Sequence, residues 1–347
     1  MAMEARRLDD LDICSPLAQQ WEKLVLENPA SGFMQSIHWS RFKRQMGFNT
    51  IHFGVFRETE LIGGAIFYLA PDCKGVGLLA APDGPVLPWH DNETASLAMA
   101  LLEKAIESES GKLGIMAIRI APRLAKPRPD FLSKFATAPI SLTEHKTMYL
   151  DLRLEPAELL ARMKPKARYN ISLARRKGVS IVEDSSASAA RKFFAVMQSV
   201  SARDHFSSEP LSYFIGLLNS LCEPQLAKVF FAEHEGDVLG ALLLLSYGTR
   251  STYLYGGTTD CKRNLMGGYA LQWAAINAAR ERGSTAYDLW GYDESSHPEN
   301  TYAGFSRFKS QFCGEQICLV GTMDYYLVDR LADAVIRAIN ELQVQAP

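Results

Sequence analysis

Apolar residues follow two spacings along this chain, and segments with the two spacings alternate. Short apolar runs are typical of β-strands, whereas apolar residues three and four positions apart are typical of amphipathic helices. In the first half, the predicted helices are 16–27, 37–46 and 93–107, and the predicted strands are 52–56, 61–69, 76–80 and 115–120. This alternation predicts a mixed α/β architecture.

The second half of the chain repeats the same order of elements. Its predicted elements are strands 229–233, 238–246 and 251–255, helix 269–282 and strand 286–290. Glu60-Leu61-Ile62-Gly63 matches Asp237-Val238-Leu239-Gly240, and Phe53 matches Phe230, all at a constant offset of 177. One matching turn can arise by chance, but four elements in the same order indicate a duplicated unit of about 170 residues.

The two copies meet at a predicted linker near residues 148–152. We therefore expect one domain over residues 1–150 and a second over residues 151–326. Residues 155–176 open the second domain as one or two helices, because Pro165 either breaks a helix or starts a new one.

A C-terminal segment lies outside both copies. Residues 327–342 carry a single apolar stripe at helical spacing. Because such a stripe must be covered, we expect a helix within residues 327–347 to pack back on the first domain.

Composition narrows the class of protein. Of the 347 residues, 47% are hydrophobic and 22% are charged, and the formal net charge is -2. These values exclude a largely disordered chain and argue against wholesale coating of nucleic acid, although a local basic patch remains compatible. No apolar run is long enough to span a bilayer, and the N-terminus lacks the apolar core of a signal peptide. The cysteines form no CxxC pair, so we expect a cytoplasmic protein with reduced thiols.

The repeated unit resembles the GNAT acyltransferase fold, in which the acyl donor lies where adjacent strands part, beside a helix N-terminus that can hold phosphate. The loop of residues 261–270 stands at that place in the second copy. Arg263 and Gly267 are one residue further apart than in the coenzyme A motif of such enzymes, which counts against coenzyme A. The alternative is that Gly267 and Gly268 only allow close packing of helix against strand.

Several basic residues are candidates for binding anionic or ester groups. Lys309 stands in an aromatic run, where it either stabilises the oxyanion of an ester under attack or lies at the surface. Residues 162–177 hold seven basic side chains and no acidic one, so they either contact RNA phosphates or form a solvated face. Lys43, one turn after Trp39, can reach a cleft between the halves. Arg203 can hold phosphate in its guanidinium fork or pair locally at the surface.

Together these residues resemble the FemABX family of aminoacyl-tRNA-dependent peptidyltransferases over nearly the whole chain. The matching pieces, in order, are Gln35, Trp39 and Lys43; Gly84-Pro85-Val86; Asp151-Leu152; Arg168, Asn170, Ile171, Ala174 and Gly178-Val179; and Phe308-Lys309, Phe312, Gly314 and Glu315. Their order and spacing are more specific than any single piece. The resemblance implies an α/β (α+β) fold of two tandem GNAT-like domains, with the C-terminal helix returning to the first.

The resemblance also implies an activity and a set of site residues. Family members move an amino acid from charged tRNA to an amine of a peptidoglycan precursor, often a UDP-linked or lipid-linked muramyl peptide, without metal or coenzyme A. The implied catalytic residues are Lys309 and Phe308. The implied substrate-binding residues are Lys43 and Arg203, on the diphosphate of the acceptor, with Tyr213 and Tyr255. The implied tRNA-binding residues are Lys164, Lys166, Arg168, Arg175 and Arg176.

One departure from the family pattern is the missing arm of its longer members, a charged helical pair inserted in the second domain. Residues 178–229 hold two ordinary amphipathic helices instead, so this chain resembles the short members that act on soluble precursors. Two alternatives to the implied activity stay open. One is an acyl-CoA-dependent N-acyltransferase acting on a sugar or peptide amine, and the other is a binding module that kept the fold without catalysis.

Overall fold

A computed structural model describes residues 2–8, 11–69, 77–184, 186, 188–204, 207–293 and 303–327. Its helices are α1 (Pro16–Glu27), α2 (Ile37–Gln45), α3 (Asn92–Leu113), α4 (Pro156–Arg162), α5 (Pro165–Arg176), α6 (Ala189–Asp204), α7 (Leu211–Leu221), α8 (Gly267–Glu281) and α9 (Ala303–Lys309). Its strands are β1 (Met3–Leu8), β2 (Asn49–Arg57), β3 (Glu60–Leu69), β4 (Gly77–Pro82), β5 (Ile115–Ala121), β6 (Ala136–Thr137), β7 (Lys146–Asp151), β8 (Ser180–Glu183), β9 (Ala227–His234), β10 (Asp237–Tyr247), β11 (Arg250–Thr258), β12 (Ala286–Asp288), β13 (Glu315–Cys318) and β14 (Met323–Tyr326). The predicted C-terminal helix lies outside the described residues, apart from Leu327.

The chain divides into two compact units, one of Met1–His145 with Cys318–Pro347 and the other of Lys146–Ile317. Both boundaries differ from the sequence prediction. The first boundary was expected after residue 150, and the chain was expected to rejoin the first domain at residue 327. The first unit resumes earlier because β14 pairs with β5 and completes its sheet. A buried ion pair joins the same two strands, with Arg119 donating two hydrogen bonds of 2.6 and 2.7 Å to Asp324.

The predicted linker is in fact a strand, so that prediction was wrong. β7 lies between β13 and β12 inside the second sheet. Met148, Leu150 and Leu152 are each at most 4% exposed, and Tyr149 and Asp151 between them are half-buried. That alternation is the period of a strand with one face in the core, and it was present in the sequence.

Within the described residues, each unit is built on one seven-stranded sheet. The strand order is β1-β2-β3-β4-β5-β14-β6 in the first unit and β13-β7-β12-β11-β10-β9-β8 in the second. In both units an antiparallel run leads into a parallel pair, β4 with β5 and β11 with β12. Because parallel neighbours need a crossover, α3 and α8 lie between the two strands of each pair in sequence.

The hairpins β2–β3 and β9–β10 share irregularities at the offset of 177 found in the sequence. Ile62 is left out of the pairing in the first hairpin and Leu239 in the second, so both carry a bulge at equivalent positions. The turn residues Glu58 and Glu235 both adopt the left-handed conformation, with φ of 56° and 52°. The duplication therefore extends from sequence to backbone conformation.

Of the family-matching residues Gln35, Trp39 and Lys43, the first two have structural roles in the first unit. Gln35 is fully buried, and its Nε2 donates hydrogen bonds to the carbonyl oxygens of Ile66 (3.0 Å) and Pro82 (2.8 Å). A Cβ atom on Gly84 would lie 2.7 Å from the Gln35 side chain, so only glycine fits beside it. The prediction that Trp39 and Phe42 belong to the core is confirmed, since they are 4% and 0% exposed.

The helices that follow β7 agree with the sequence prediction for residues 155–176. α4 ends at Arg162, and Pro165 occupies the first turn of α5, where its missing N–H costs no hydrogen bond. Between Gly178 and Val229 the described residues form β8, α6 and α7, without a long helical pair. Among the residues that the structure describes, no helix is both long and apolar enough to cross a bilayer.

Candidate active site

The parallel strands separate in the second unit but not in the first. β4 pairs with β5 over its whole length, from Gly77 to Pro82. β11 pairs with β12 only over Arg250–Thr252, and from there to Thr258 it is paired with β10 alone. This parting opens the sheet of the second unit beside the N-terminus of α8.

A cavity of about 440 Å³ occupies the opening. Its walls are mostly apolar, with a few polar groups at the rim and on the floor. The lining residues are Arg203, Asp204, Ala241, Leu242, Tyr253, Gly257, Thr258, Arg263, Gly268, Leu271, Gln272, Gly304, Phe305 and Phe308. An apolar pocket with convergent polar groups is the usual form of a small-molecule site.

A bulge decides which tyrosine reaches this cavity. Leu254 is left out of the pairing between β10 and β11, which shifts the alternation of faces by one residue. Tyr253 therefore packs on the α8 side and lines the cavity. Tyr255 packs instead on α7, with its ring centroid 5.5 Å from that of Phe214.

Lys309, the last residue of α9, is directed into the protein and is only 7% exposed. Its ammonium donates a hydrogen bond of 2.6 Å to the carbonyl oxygen of Gly291. Nζ also lies 5.6 Å from the centroid of the Tyr253 ring, within the range of a cation–π contact. A positive charge is thus held directly behind a wall of the cavity.

Aromatic packing fixes the segment that carries Lys309. Phe308 lines the cavity and contacts Tyr269 and Phe312 at centroid distances of 5.0 and 5.3 Å, both edge to face. Such pairs favour one relative orientation of the rings. Of the two residues predicted as catalytic, Phe308 lines the cavity, and Lys309 contacts Tyr253, whose ring lines it.

Arg203, predicted to bind a diphosphate, lines the cavity from the end of α6. Its Nε and Nη2 each donate a hydrogen bond of 2.8 Å to Asp204, and Nη1 donates one of 2.6 Å to the carbonyl oxygen of Thr258. The paired carboxylate raises the pKa of Arg203 above its usual value. In this structure the guanidinium fork is occupied by protein groups.

Tyr213 and Tyr255 form a pair outside the cavity lining. Their hydroxyl oxygens lie 3.1 Å apart. Burial raises the pKa of Tyr255 to about 12 and also raises the pKa of Tyr213. Both phenols are therefore neutral at physiological pH.

The loop before α8 differs from a phosphate-binding loop in its ion pairs and in the packing of its glycines. Lys262 lies 3.0 Å from both Glu235 and Asp237, and the ion pairs hold the pKa of both carboxyls below their usual range. A Cβ on Gly267 would lie 3.0 Å from Leu239 Cβ, and one on Gly268 would lie 3.0 Å from a methyl group of Thr258. The two glycines thus allow α8 to approach the sheet, as the alternative interpretation held.

The basic segment forms the exposed side of α5 and its flanks. Lys164, Lys166, Arg175 and Arg176 are exposed, and Arg168 is half-buried and hydrogen-bonded to carbonyl oxygens of Ala161 and Met163. The N–H of Lys164 donates a 2.9 Å hydrogen bond to the carbonyl oxygen of Gln311. α5 therefore starts beside the segment that follows Lys309.

A groove of about 430 Å³ runs between α5 and α8. Arg168 and Arg175 lie at its edge, and Ile171 and Trp273 contribute apolar surface. Cations beside an aromatic face are a combination that accommodates single-stranded nucleic acid.

Lys43 belongs to the first unit, in the last turn of α2. Its Nζ lies 3.7 Å from the centroid of the Phe48 ring. Among the described residues, no group of three or more His, Cys, Asp or Glu side chains could hold a metal ion.

Two polar residues of the cavity, Tyr253 and Gln272, were missed by the sequence analysis. A signal for Gln272 was available, because a glutamine lies there at a core position of a helix, between Leu271 and Trp273. No sequence signal distinguished Tyr253 from Tyr255, since the bulge depends on the pairing of β11 with β10.

Comparison with known proteins gives a family match. The FemAB family model matches residues 18–126, 140–235 and 223–340. The UDP-N-acetylmuramoylpentapeptide-lysine N(6)-alanyltransferase of Weissella viridescens is 21% identical over 319 residues, covering 84% of this chain and 89% of the relative. The lipid II:glycine glycyltransferase of Staphylococcus aureus (strain MRSA252) is 22% identical over 391 residues, covering 89% of this chain and 91% of the relative.

Solved structures show the same fold. FemX superposes with a TM-score of 0.83 at 19% identity, covering 96% of this chain and 99% of FemX. The tandem GNAT protein from the clavulanic acid biosynthesis pathway has a TM-score of 0.59 at 13% identity, covering 94% of this chain and 99% of its own. The architecture is therefore that of two tandem GNAT-like domains, as predicted.

Proposed function

Because the chain belongs to the FemAB family, we propose that it transfers an amino acid from aminoacyl-tRNA to an amine of a peptidoglycan precursor. The acceptor is a nucleotide-linked or lipid-linked muramyl peptide or a related amine. The two relatives described above are named for an alanyl transfer and a glycyl transfer to such precursors. The observation that carries the proposal is the buried Lys309 ammonium behind the wall of the cavity.

The chemistry needs little beyond positioning and charge. The neutral amine of the acceptor attacks the ester carbonyl, a C–N bond forms and the ester C–O bond to the tRNA ribose breaks. The proton lost by the amine ends on the leaving ribose oxygen, directly or through a substrate group. Lys309 stabilises the negative charge that develops on the oxygens, because a preorganised cation away from bulk water acts strongly there.

The donor fits the second unit. Its small cavity has room for the aminoacyl end, and the basic side of α5 begins next to the segment after Lys309. We propose that Lys164, Lys166, Arg168, Arg175 and Arg176 contact the tRNA backbone. The groove beside Trp273 gives an unpaired base a surface on which to stack.

For the acceptor, we keep Lys43, Arg203, Tyr213 and Tyr255 as proposed binding residues. Arg203 must exchange Asp204 for phosphate oxygens to hold a diphosphate, since its fork is occupied. We expect the enzyme to act in the cytoplasm, where charged tRNA and soluble precursors are both present.

The test is transfer by the purified protein. Given a mixture of charged tRNAs and UDP-muramyl-pentapeptide, it should give a peptide heavier by one amino acid residue, detected by mass spectrometry. Lys309→Met should lower the rate by about 10²–10³-fold, by loss of charge stabilisation. Lys228→Met, at an exposed ion pair on β9, is the control and should keep full activity. Failure of transfer with every amino acid and with lipid-linked and other amine acceptors would reject the proposal.

A second candidate is acyl-CoA-dependent N-acyl transfer. It is favoured by the cavity of about 180 Å³ between the β11–α8 loop and Phe308, beside the first turn of α8. Two observations argue against it: Gly267 serves close packing of α8 on the sheet, and Lys262 is already paired with Glu235. Calorimetric binding of acetyl-CoA would favour this candidate. A non-catalytic binding module would instead bind precursor while Lys309→Met changed nothing.

A further inference from the structure

The floor of the cavity carries a glutamine that the proposed mechanism does not use. Gln272 lies in the second turn of α8 and is 2% exposed, although it lines the cavity. The polar atoms of a side chain this deeply buried normally each have at least one hydrogen-bond partner, because a buried unsatisfied group is costly. The partners of Gln272 are therefore informative.

One end of the Gln272 amide is fixed. The hydroxyl of Tyr287, a residue of β12 that is fully buried, donates a hydrogen bond of 2.7 Å to Gln272 Oε1. Burial raises the pKa of Tyr287 well above its usual value, so this hydroxyl keeps its proton. With Oε1 held by β12, the two N–H donors of Nε2 are directed away from it.

The other end of the amide is open to the cavity. Within the described residues, Gln272 Nε2 donates no hydrogen bond, and it is not among the side-chain atoms sealed from solvent without a partner. Gln272 lines the cavity, so the cavity offers space for a partner of Nε2. Tyr253, the other phenol on the cavity wall, also donates no hydrogen bond among the described residues.

We propose that Gln272 binds the acyl carbonyl oxygen of the donor through Nε2, and that Tyr287 is the positioning residue that orients the amide. This assignment rests on the proposed acyl transfer and names the group that the cavity recognises. Neutral N–H and O–H donors in an apolar surround suit a carbonyl oxygen, which needs donors but carries no full charge. Lys309, behind the Tyr253 ring, then adds the positive charge that counts once the carbonyl oxygen becomes an oxyanion.

The experiment measures binding rather than turnover. The probes are 3′-alanylamido-3′-deoxyadenosine, a stable amide analogue of a charged tRNA end, and acetyl-CoA. In ¹⁵N-labelled wild-type protein, the Gln272 side-chain amide signal, assigned by its absence from Gln272→Leu, should shift on saturation with at least one probe. Gln272→Leu should bind that probe roughly tenfold more weakly. Gln198→Leu, at an exposed glutamine of α6, is the control and should bind as the wild type does.

A second variant separates binding from stability. Gln272→Leu leaves the Tyr287 hydroxyl buried without an acceptor, whereas Gln272→Leu with Tyr287→Phe removes both partners. The double variant should recover stability but keep the weakened binding. Tyr287→Phe alone should weaken binding by a smaller factor, because the amide loses its fixed orientation.

The outcomes distinguish this inference from the proposed function. A Gln272 signal that stays unshifted at saturation, no binding of either probe, or a double variant that binds like the wild type would overturn the inference even if tRNA-dependent transfer occurs. A shift with acetyl-CoA alone, with no transfer from any charged tRNA, would uphold Gln272 as the carbonyl ligand and reject the aminoacyl-tRNA donor.

Discussion

At the scale of single residues, the cavity depends on where a backbone irregularity falls. Tyr253 and Tyr255 are two positions apart and would share a face of a regular strand. Because Leu254 is bulged, Tyr253 reaches the cavity and Tyr255 packs on α7. The sequence analysis chose Tyr255 as a binding residue, whereas the phenol on the wall of this cavity belongs to Tyr253.

The raised pKa of Tyr255 predicts a pH dependence of the free energy of unfolding. Its pKa of about 12 in the folded protein lies above its ordinary value of 10.0. Above pH 10 the unfolded chain loses this proton and the folded protein keeps it, so stability falls between pH 10 and pH 12. Between pH 10 and pH 11 the free energy of unfolding should therefore fall by about 1 kcal/mol less in Tyr255→Phe than in the wild type.

Urea unfolding at the two pH values measures this difference, and Tyr169→Phe is the control for loss of an exposed hydroxyl. Equal losses in the wild type and Tyr255→Phe would contradict the raised pKa.

At the scale of elements, α8 approaches the sheet because its first residues have no side chains. A Cβ on Gly267 would lie 3.0 Å from Leu239 Cβ and 3.3 Å from Ala232 Cβ. Both neighbours are fixed to strand backbone and cannot move aside cheaply. The glycines that suggested a phosphate site are therefore explained by packing.

Two helical glycines should respond to alanine in opposite directions. Gly267→Ala should lower the free energy of unfolding by about 1–3 kcal/mol, through overpacking. Gly111→Ala in α3 should raise it by about 0.5–1 kcal/mol, because a Cβ there meets nothing within 4 Å. Denaturant unfolding of both variants checks the pair, and a Gly267→Ala protein as stable as the wild type would show that α8 can shift outward.

The proposed contact of α5 with tRNA predicts how tRNA affinity depends on salt. Arg175→Gln with Arg176→Gln should weaken tRNA binding and reduce the slope of log affinity against log salt by about 1–2, since each phosphate contact releases counterions. Arg6→Gln with Lys23→Gln, which removes two exposed charges of the first unit, is the control. Filter binding at several salt concentrations measures the slope, and equal slopes for both pairs would remove α5 from the proposed interface.

At the scale of the whole molecule, two copies of one fold differ in how far their parallel strands stay paired. The parallel pair of the first unit stays together along β4, whereas that of the second unit parts after Thr252. The second unit therefore has the opening that holds Phe308 and Tyr253. This difference supports the proposal that the donor binds the second unit.

The pairing of β14 with β5 in the first unit should depend on the ion pair between Arg119 and Asp324. Asp324→Leu leaves Arg119 buried without its carboxylate and should lower the stability of the first unit by about 3–5 kcal/mol. Arg119→Met with Asp324→Leu replaces the pair by apolar groups and should recover most of that loss. Urea unfolding followed for both units checks this, and a loss below about 1 kcal/mol for Asp324→Leu would mean that β14 is not held by the pair.

The sequence by itself determined the duplicated α/β unit, most helices and hairpins, and the position of Lys309 and Phe308 in an aromatic run. These features depend on local periodicity and on side chains that are near one another in the chain. It did not determine β7 as an inner strand or the return of β14, because both depend on pairing partners more than a hundred residues away. Only the tertiary structure decided where the strands part, which tyrosine faces the cavity, and that Gln272 is held by Tyr287, since a β-sheet is fixed by contacts between segments rather than within them.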